Sequence, residues 1–220
     1  MVSGVARIES VNVGHVVDVP WGSLKKSAID KRPAQGHVKV HTLGLGGDEI
    51  ADLKRHGGAD KAVYAFAGEE RDHWATELGR DLLPGQFGEN LSTRGIDVDD
   101  ARIGDRWRIG TVVLEVADVR IPCSVFQGFL GEKQWIKRFS ERGRVGAYLR
   151  VIEEGEVAAG DDLEVLETRD HDLSVAYTFR AVTTQRDLLP SLAQEARCGA
   201  AIKRELKKSR VCDPAGHRLV

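Results

Sequence analysis

One cysteine in this chain stands where a thiol is easy to reach. In VLEVADVRIPCSVF, residues 113 to 126, an apolar run leads into Arg120, Pro122 and Cys123. Proline has no backbone N–H and disfavours helical geometry in the residue before it, so Pro122 is expected to end the ladder and leave Cys123 on the rim. Arg120, three residues upstream, favours the thiolate, the form that attacks electrophiles and binds soft metals. A hydrolase built on Cys123 needs a histidine base, for which His56 is a candidate; a metal ligand needs no such partner. Cys198 and Cys212 have no comparable setting, and a free cysteine is by default buried and inert.

The stretch GLGGDEIADLKRHGGADKAVYAF, residues 44 to 66, sets five glycines around Asp48, Asp52, Arg55, His56, Asp60 and Lys61. Such glycines permit positive φ and let backbone N–H groups approach a ligand closely, a design that suits phosphate. Composition alone reads equally well as a long solvated loop with turn glycines. On a helix, Asp48, Asp52 and His56 at i, i+4 and i+8 would share one face and could hold a metal, but the glycines disfavour that helix. His56-Gly57-Gly58 has the form of a hydrolase oxyanion loop without the GxSxG elbow that should accompany it. Lys61 followed by Ala62 does not complete a P-loop. What remains is an anionic cofactor gripped by backbone amides and Lys61. A second loop, PGQFGENLSTRGIDV, offers Glu89, Asn90, Ser92 and Thr93, which can orient a heterocycle or, taken alone, serve as ordinary turn chemistry.

These residues need a frame. Short β-rich runs fill the first two thirds: RIESVNVGHVVDV, HVKVHTLGL, KAVYAF, DRWRIG, TVVLEVADV, AYLRVIEEG and DDLEVLET, each bounded by turn residues. TVVLEVADV carries apolar residues on both faces, so both are expected to meet protein, as in a barrel with helical cover. Two helices, GEERDHWATELG and GEKQWIKRFSERG, supply that cover, the second with Trp135, Ile136 and Phe139 in one stripe. Beyond TRDHD the strand signal stops. LSVAYTFRA, RDLLPSLAQEA and GAAIKRELKKS read as short helices broken by Pro190 and Gly199, which places a boundary near residue 170.

Composition narrows the function classes. The 220 residues, 41% hydrophobic and 30% charged, suffice for one domain with a real core and a small appendage. Lys plus Arg number 32 against 34 Asp plus Glu, a net charge of −2, so no global basic field invites nucleic acid and any anion site must be local. Three widely spaced cysteines outside any CxxC argue against a disulfide framework or structural zinc. The first residues lack a leader pattern and no apolar run approaches a membrane span, so a soluble cytoplasmic protein is expected.

Taken in order, GLGGDEIAD, RHGGADKAVYAF, FGENLST, IGDRWRIG, VRIPC and GAYLRVIEEG resemble the MOSC domain, the family named for the C-terminal region of molybdenum cofactor sulfurase, and most closely its YiiM-like branch. The resemblance covers residues 35–168, and the helical tail is similar to the three-helix extension of that branch. It implies a mixed α/β, mainly β fold: a pyruvate-kinase-barrel-like β-barrel over residues 1–170 with covering helices, and a helical extension over 171–220. It also implies a pocket for the molybdenum cofactor, a molybdopterin with a phosphate-bearing tail. Cys123 corresponds to the family's cysteine and would be both the catalytic residue and the ligand to molybdenum. Arg120, Lys61 and His56 would meet the anionic tail or oxo groups, and Glu89 and Asn90 the pterin edge. Arg144, in GRVGAYLRV, could add positive charge or be a solvated helix-end arginine. Asp48 and Asp52 are expected to position the loop, since a carboxylate aimed at a phosphate repels it.

Relatives in that branch reduce N-hydroxylated compounds such as hydroxylaminopurine, and this is the leading expectation for the small-molecule substrate. Cys198 and Cys212 cannot build a four-cysteine cluster, so electrons are expected from a separate flavoprotein or iron-sulfur partner. Neither nucleic acid nor membrane is expected as a partner. A sulfur carrier using a Cys123 persulfide for metal-sulfur cluster assembly, and a non-catalytic carrier of the pterin cofactor, are the alternatives.

Overall fold

The computed structural model describes residues 5–209, so Cys212 lies outside the described residues. The run RIESVNV forms β1 (Arg7–Val13), with Ile8 and Val11 buried. Three two-residue strands follow, β2 (Val17–Asp18), β3 (Lys26–Ser27) and β4 (Arg32–Pro33), then the hairpin of β5 (Val38–His41) and β6 (Gly44–Leu45). A single turn, α1 (Leu53–His56), is capped by the Asp52 carboxylate, which accepts from Arg55 N at 3.2 Å. Next come β7 (Val63–Ala67), α2 (Gly68–Leu78), β8 (Leu91–Arg94), β9 (Arg106–Ile109) and β10 (Val112–Val119). Two helices, α3 (Ser124–Leu130) and α4 (Trp135–Arg142), precede β11 (Ala147–Glu153), β12 (Gly155–Val157) and β13 (Leu163–Glu167). The chain then turns helical in α5 (Val175–Val182), α6 (Leu189–Leu192) and α7 (Ala200–Ser209).

The main sheet runs β13-β9-β10-β11-β7-β8-β1-β4, antiparallel except for the parallel pair β7 and β8. Its ends meet. Ile8 N donates to Asp161 O at 2.9 Å, Gly160 N to Ile8 O at 2.8 Å and Leu163 N to Ala6 O at 2.7 Å, which joins the start of β1 to the start of β13. The sheet thus returns on itself as the barrel reading requires. Every residue of β10 is buried, in keeping with apolar side chains on both of its faces.

Against one side of this sheet sits an aromatic layer. Phe66 of β7 stacks on Phe87 at 4.5 Å between centroids, Phe87 meets Phe126 of α3 at 5.7 Å, and Phe126 meets Phe139 and Trp135 of α4 at 5.2 and 5.5 Å. Trp74 of α2 packs edge-on to Trp135 at 4.6 Å. These contacts fix α3, and therefore the residue that caps it, Cys123.

Two elements depart from the sequence reading. Leu91–Arg94 was expected as loop and is an internal strand, disguised because Ser92 and Thr93 are polar yet buried. Ser92 is satisfied by donating to Glu89 Oε1 at 2.8 Å and accepting from Asn12 Nδ2 at 3.2 Å. Pro190, expected as a helix breaker, lies in the first turn of α6, where a missing N–H costs nothing. Among the described residues no helix is long and apolar enough to cross a membrane.

Candidate functional site

Where β10 ends, Arg120 turns inward and Cys123 caps α3 with extended backbone (φ −136°, ψ 172°). Cys123 is partly buried and faces two cavities, one of about 150 Å³ and one of about 390 Å³. Arg55, His56, Lys61, Cys123 and Tyr148 line both, so the cavities meet at the thiol. The smaller one extends past Lys31, Asp48, Tyr64, Asn90 and Arg120; the larger one is bordered on its far side by α7.

Arg120 is 6% exposed and has no carboxylate partner among the described residues. One guanidinium nitrogen donates to Tyr148 Oη at 2.8 Å, the Nε is unpartnered, and the group lies over the rings of Tyr64 and Phe126 at 5.3 and 5.4 Å. A buried cation with an unused N–H is a receptor for an anion. Tyr64 keeps its proton, because burial pushes its pKa well above 10, and donates to Val145 O at 2.7 Å.

Lys61, at the end of the turn Ala59–Lys61, donates to Arg55 O at 3.1 Å and lies 5.2 Å from the Tyr148 ring centre and 3.9 Å from Asp118 Oδ2. His56 stands in the same wall. Burial, reinforced by the charges of Arg120 and Lys61, pushes it down to about 4, so at neutral pH it is an uncharged imidazole. His56 therefore adds a hydrogen-bonding nitrogen and no positive charge.

Glu89 and Asn90 part company. Asn90 reaches the smaller cavity, with its amide taken by Asp48 Oδ2 at 2.9 Å and its oxygen accepting from Tyr64 N at 3.1 Å. Glu89 lines neither cavity; its oxygens accept from Gly85 N at 2.7 Å, Phe87 N at 3.0 Å and Ser92 Oγ, which assigns it to holding the loop. Arg144 also lies outside both, paired with Glu70 and Asp97. The one-face reading of Asp48, Asp52 and His56 fails because α1 spans only four residues: Asp48 is paired with buried Lys31 and accepts from Gly14 N at 2.8 Å, while Asp52 caps α1. Among the described residues no group of three or more His, Cys, Asp or Glu side chains is placed to hold a metal.

Several lining residues were missed. Lys31 lies outside the motifs, and Tyr64 and Tyr148 lie within RHGGADKAVYAF and GAYLRVIEEG without having been singled out. Asp118 did carry a signal: a carboxylate in a strand apolar on both faces needs either a partner or a role. Cys198 matches its expected inertness, buried and pushed up to about 12 by that burial with Glu195 and Asp118 nearby.

Residues 52–164 match the family described as MOSC domain. The Bacillus subtilis protein YflK is 35% identical over 172 residues, 78% of each chain. A Gibberella moniliformis protein named Reductase is 31% identical over 188 residues, which are 84% of this chain and 33% of that protein. The crystal structure of YiiM from Geobacillus stearothermophilus superposes with a TM-score of 0.78 at 28% identity, covering 92% of this chain and 98% of that one.

Proposed function

The chain belongs to the MOSC domain family, and on that premise we propose that it is a molybdenum-cofactor-dependent reductase of N-hydroxylated compounds. The observation that carries the reading is Arg120, a buried guanidinium with an unpartnered Nε in the cavity wall that also bears the partly exposed Cys123. The donor set fits an anionic cofactor whose metal brings most of its own ligands, since a single thiolate is then enough from the protein. The relative named Reductase supports the reaction class, and this chain spans one third of that protein.

When bound, the cofactor would supply the two-electron chemistry that removes oxygen from an N–OH group. Cys123 would be its thiolate ligand. Arg120 and Lys61 would hold its negative charge, and the hydrogen bond that Arg120 donates to Tyr148 Oη fixes the guanidinium fork in direction. His56, uncharged, can give or accept one hydrogen bond without adding charge to the wall. Electrons would come from a separate flavoprotein or iron-sulfur donor. A cytoplasmic setting, which keeps thiols reduced, suits an unpaired Cys123.

The test is expression in a host that makes the cofactor, with a pathway-deficient strain as control. About one molybdenum per chain, and reduction of 6-N-hydroxylaminopurine with a reduced viologen dye that Cys123→Ser abolishes, are the expected results. Full turnover in Cys123→Ser overturns the reading. Protein that carries no molybdenum but a persulfide on Cys123 establishes the sulfur-carrier alternative instead, and cofactor binding without turnover the carrier one.

A further inference from the structure

The larger cavity contains a group that the proposed chemistry does not use. Asp118, near the end of β10, is 2% exposed and lines this cavity but not the smaller one. Its Oδ1 accepts from Val119 N at 2.8 Å, while its Oδ2 has no hydrogen-bond partner. Lys61, at 3.9 Å, faces it as an ion pair but is too distant for a hydrogen bond, which its ammonium makes to Arg55 O. An oxygen left unpaired in a buried wall is expensive, and a ligand N–H is what would satisfy it.

Ile121 and Pro122 beside Cys123, Val182 from α5, and Ala201 and Ile202 from α7 give this cavity an apolar patch, and the rest of its lining is largely charged, with Arg204, Glu205 and Lys208 also from α7. The roof is firmly placed over the acid. Gly199 N donates to Ala117 O and Ala200 N to Asp60 Oδ2, both at 2.7 Å, and a Cβ on Gly199 would stand 3.0 Å from Ala117 O and 3.1 Å from Asp118 Oδ2. Close crossing of α7 over β10 therefore depends on a residue without a side chain. Of the two carboxylates in the lining, Glu205 is paired with Arg186 and Lys208, so an apolar patch beside the one unsatisfied acceptor suits a flat ligand that carries N–H groups.

We propose that this larger cavity is the substrate chamber, walled by α7, and that Asp118 is its recognition residue, accepting a hydrogen bond from the amino group of a planar N-hydroxylated amidine or amine. The identity of the ligand class rests on the reductase reading; the acceptor and the chamber do not. Burial, opposed by Lys61, pushes the Asp118 carboxyl up to about 6, with Asp60 and Arg204 the other charges facing it, so at pH 7.5 the free oxygen is ionised and accepts strongly.

Calorimetry on the full chain purified from a cofactor-making host, at pH 7.5 with no electron donor, tests this with two probes. Benzamidoxime bears an amino group beside the N–OH; benzaldoxime lacks it. The wild type is expected to bind benzamidoxime at least about tenfold more tightly, the worth of one hydrogen bond to a charged group. Asp118→Asn should reduce that ratio below about threefold, and Ala201→Trp, which fills the chamber from the opposite wall, should abolish binding of both. An unchanged ratio in Asp118→Asn, undiminished binding in Ala201→Trp, or no binding of either probe by the wild type overturns the proposal. Binding as stated without viologen-driven turnover sinks the reductase reading alone; turnover untouched by both substitutions sinks the chamber alone.

Discussion

A guanidinium sealed from water without a carboxylate costs free energy that polarised tyrosines return only in part. Arg120 is in that position, held by Tyr148 Oη and two aromatic faces. Replacing it with the unbranched, apolar methionine removes the cost and the anion receptor together. Arg120→Met is therefore expected to raise stability in urea by about 1 to 3 kcal/mol while molybdenum content falls at least tenfold. A loss of stability would assign Arg120 to the architecture and withdraw it from the site. Cys123 and Cys198 differ for the same kind of reason: one caps a helix at a cavity, the other is enclosed and kept protonated by burial.

At the level of elements, the thiol is positioned by the packing of the helix it caps, and it rests against that core itself. Phe139 of α4 is fully buried and meets Phe126 of α3 at 5.2 Å, so removing its ring frees the helix that Cys123 caps. Phe139→Ala should cost about 3 to 5 kcal/mol, whereas Phe139→Leu should cost far less, because most of the volume is kept. Urea unfolding of the pair checks it; equal costs would point to ring-specific contacts in place of volume. The helix carrying Phe139 was readable from its 3.6-residue stripe, and β10 from apolar residues on both faces. By contrast, β8 was not readable, since Ser92 and Thr93 give no apolar alternation and the Ser92 hydroxyl is satisfied only by Glu89 and by Asn12, the latter 80 residues away. For the site, Cys123, Arg120, Lys61 and His56 were legible because turn and strand-end chemistry is local. Lys31, Tyr148 and the α7 wall were not, because only tertiary folding brings them to the thiol.

Across the whole molecule, carboxylates set the response to pH in opposite senses. Glu9, in spite of its burial, is held below the usual range by Arg71 and Arg94, and the hydrogen bond from Arg94 does the same for Asp72, so both add stability that is lost as pH falls through their folded values. Asp99 and Asp118 act the other way: burial raises each to about 6 against 3.8, and the opposing N–H groups of Gly146 and Val145, or the charge of Lys61, do not cancel it. Between about pH 4 and 6 the folded state then binds more protons at these sites than the unfolded chain, so their contribution declines as pH rises and is constant above. For Asp118 alone the displacement corresponds to about 3 kcal/mol. Asp118→Asn cannot titrate, so its stability relative to the wild type is expected to climb by up to that amount between pH 4 and pH 7, seen in thermal melts as a melting-temperature gap that widens by about 5 °C or more. A gap that stays flat across this range would mean that Asp118 is paired in solution, and its oxygen would then not be free to receive a ligand.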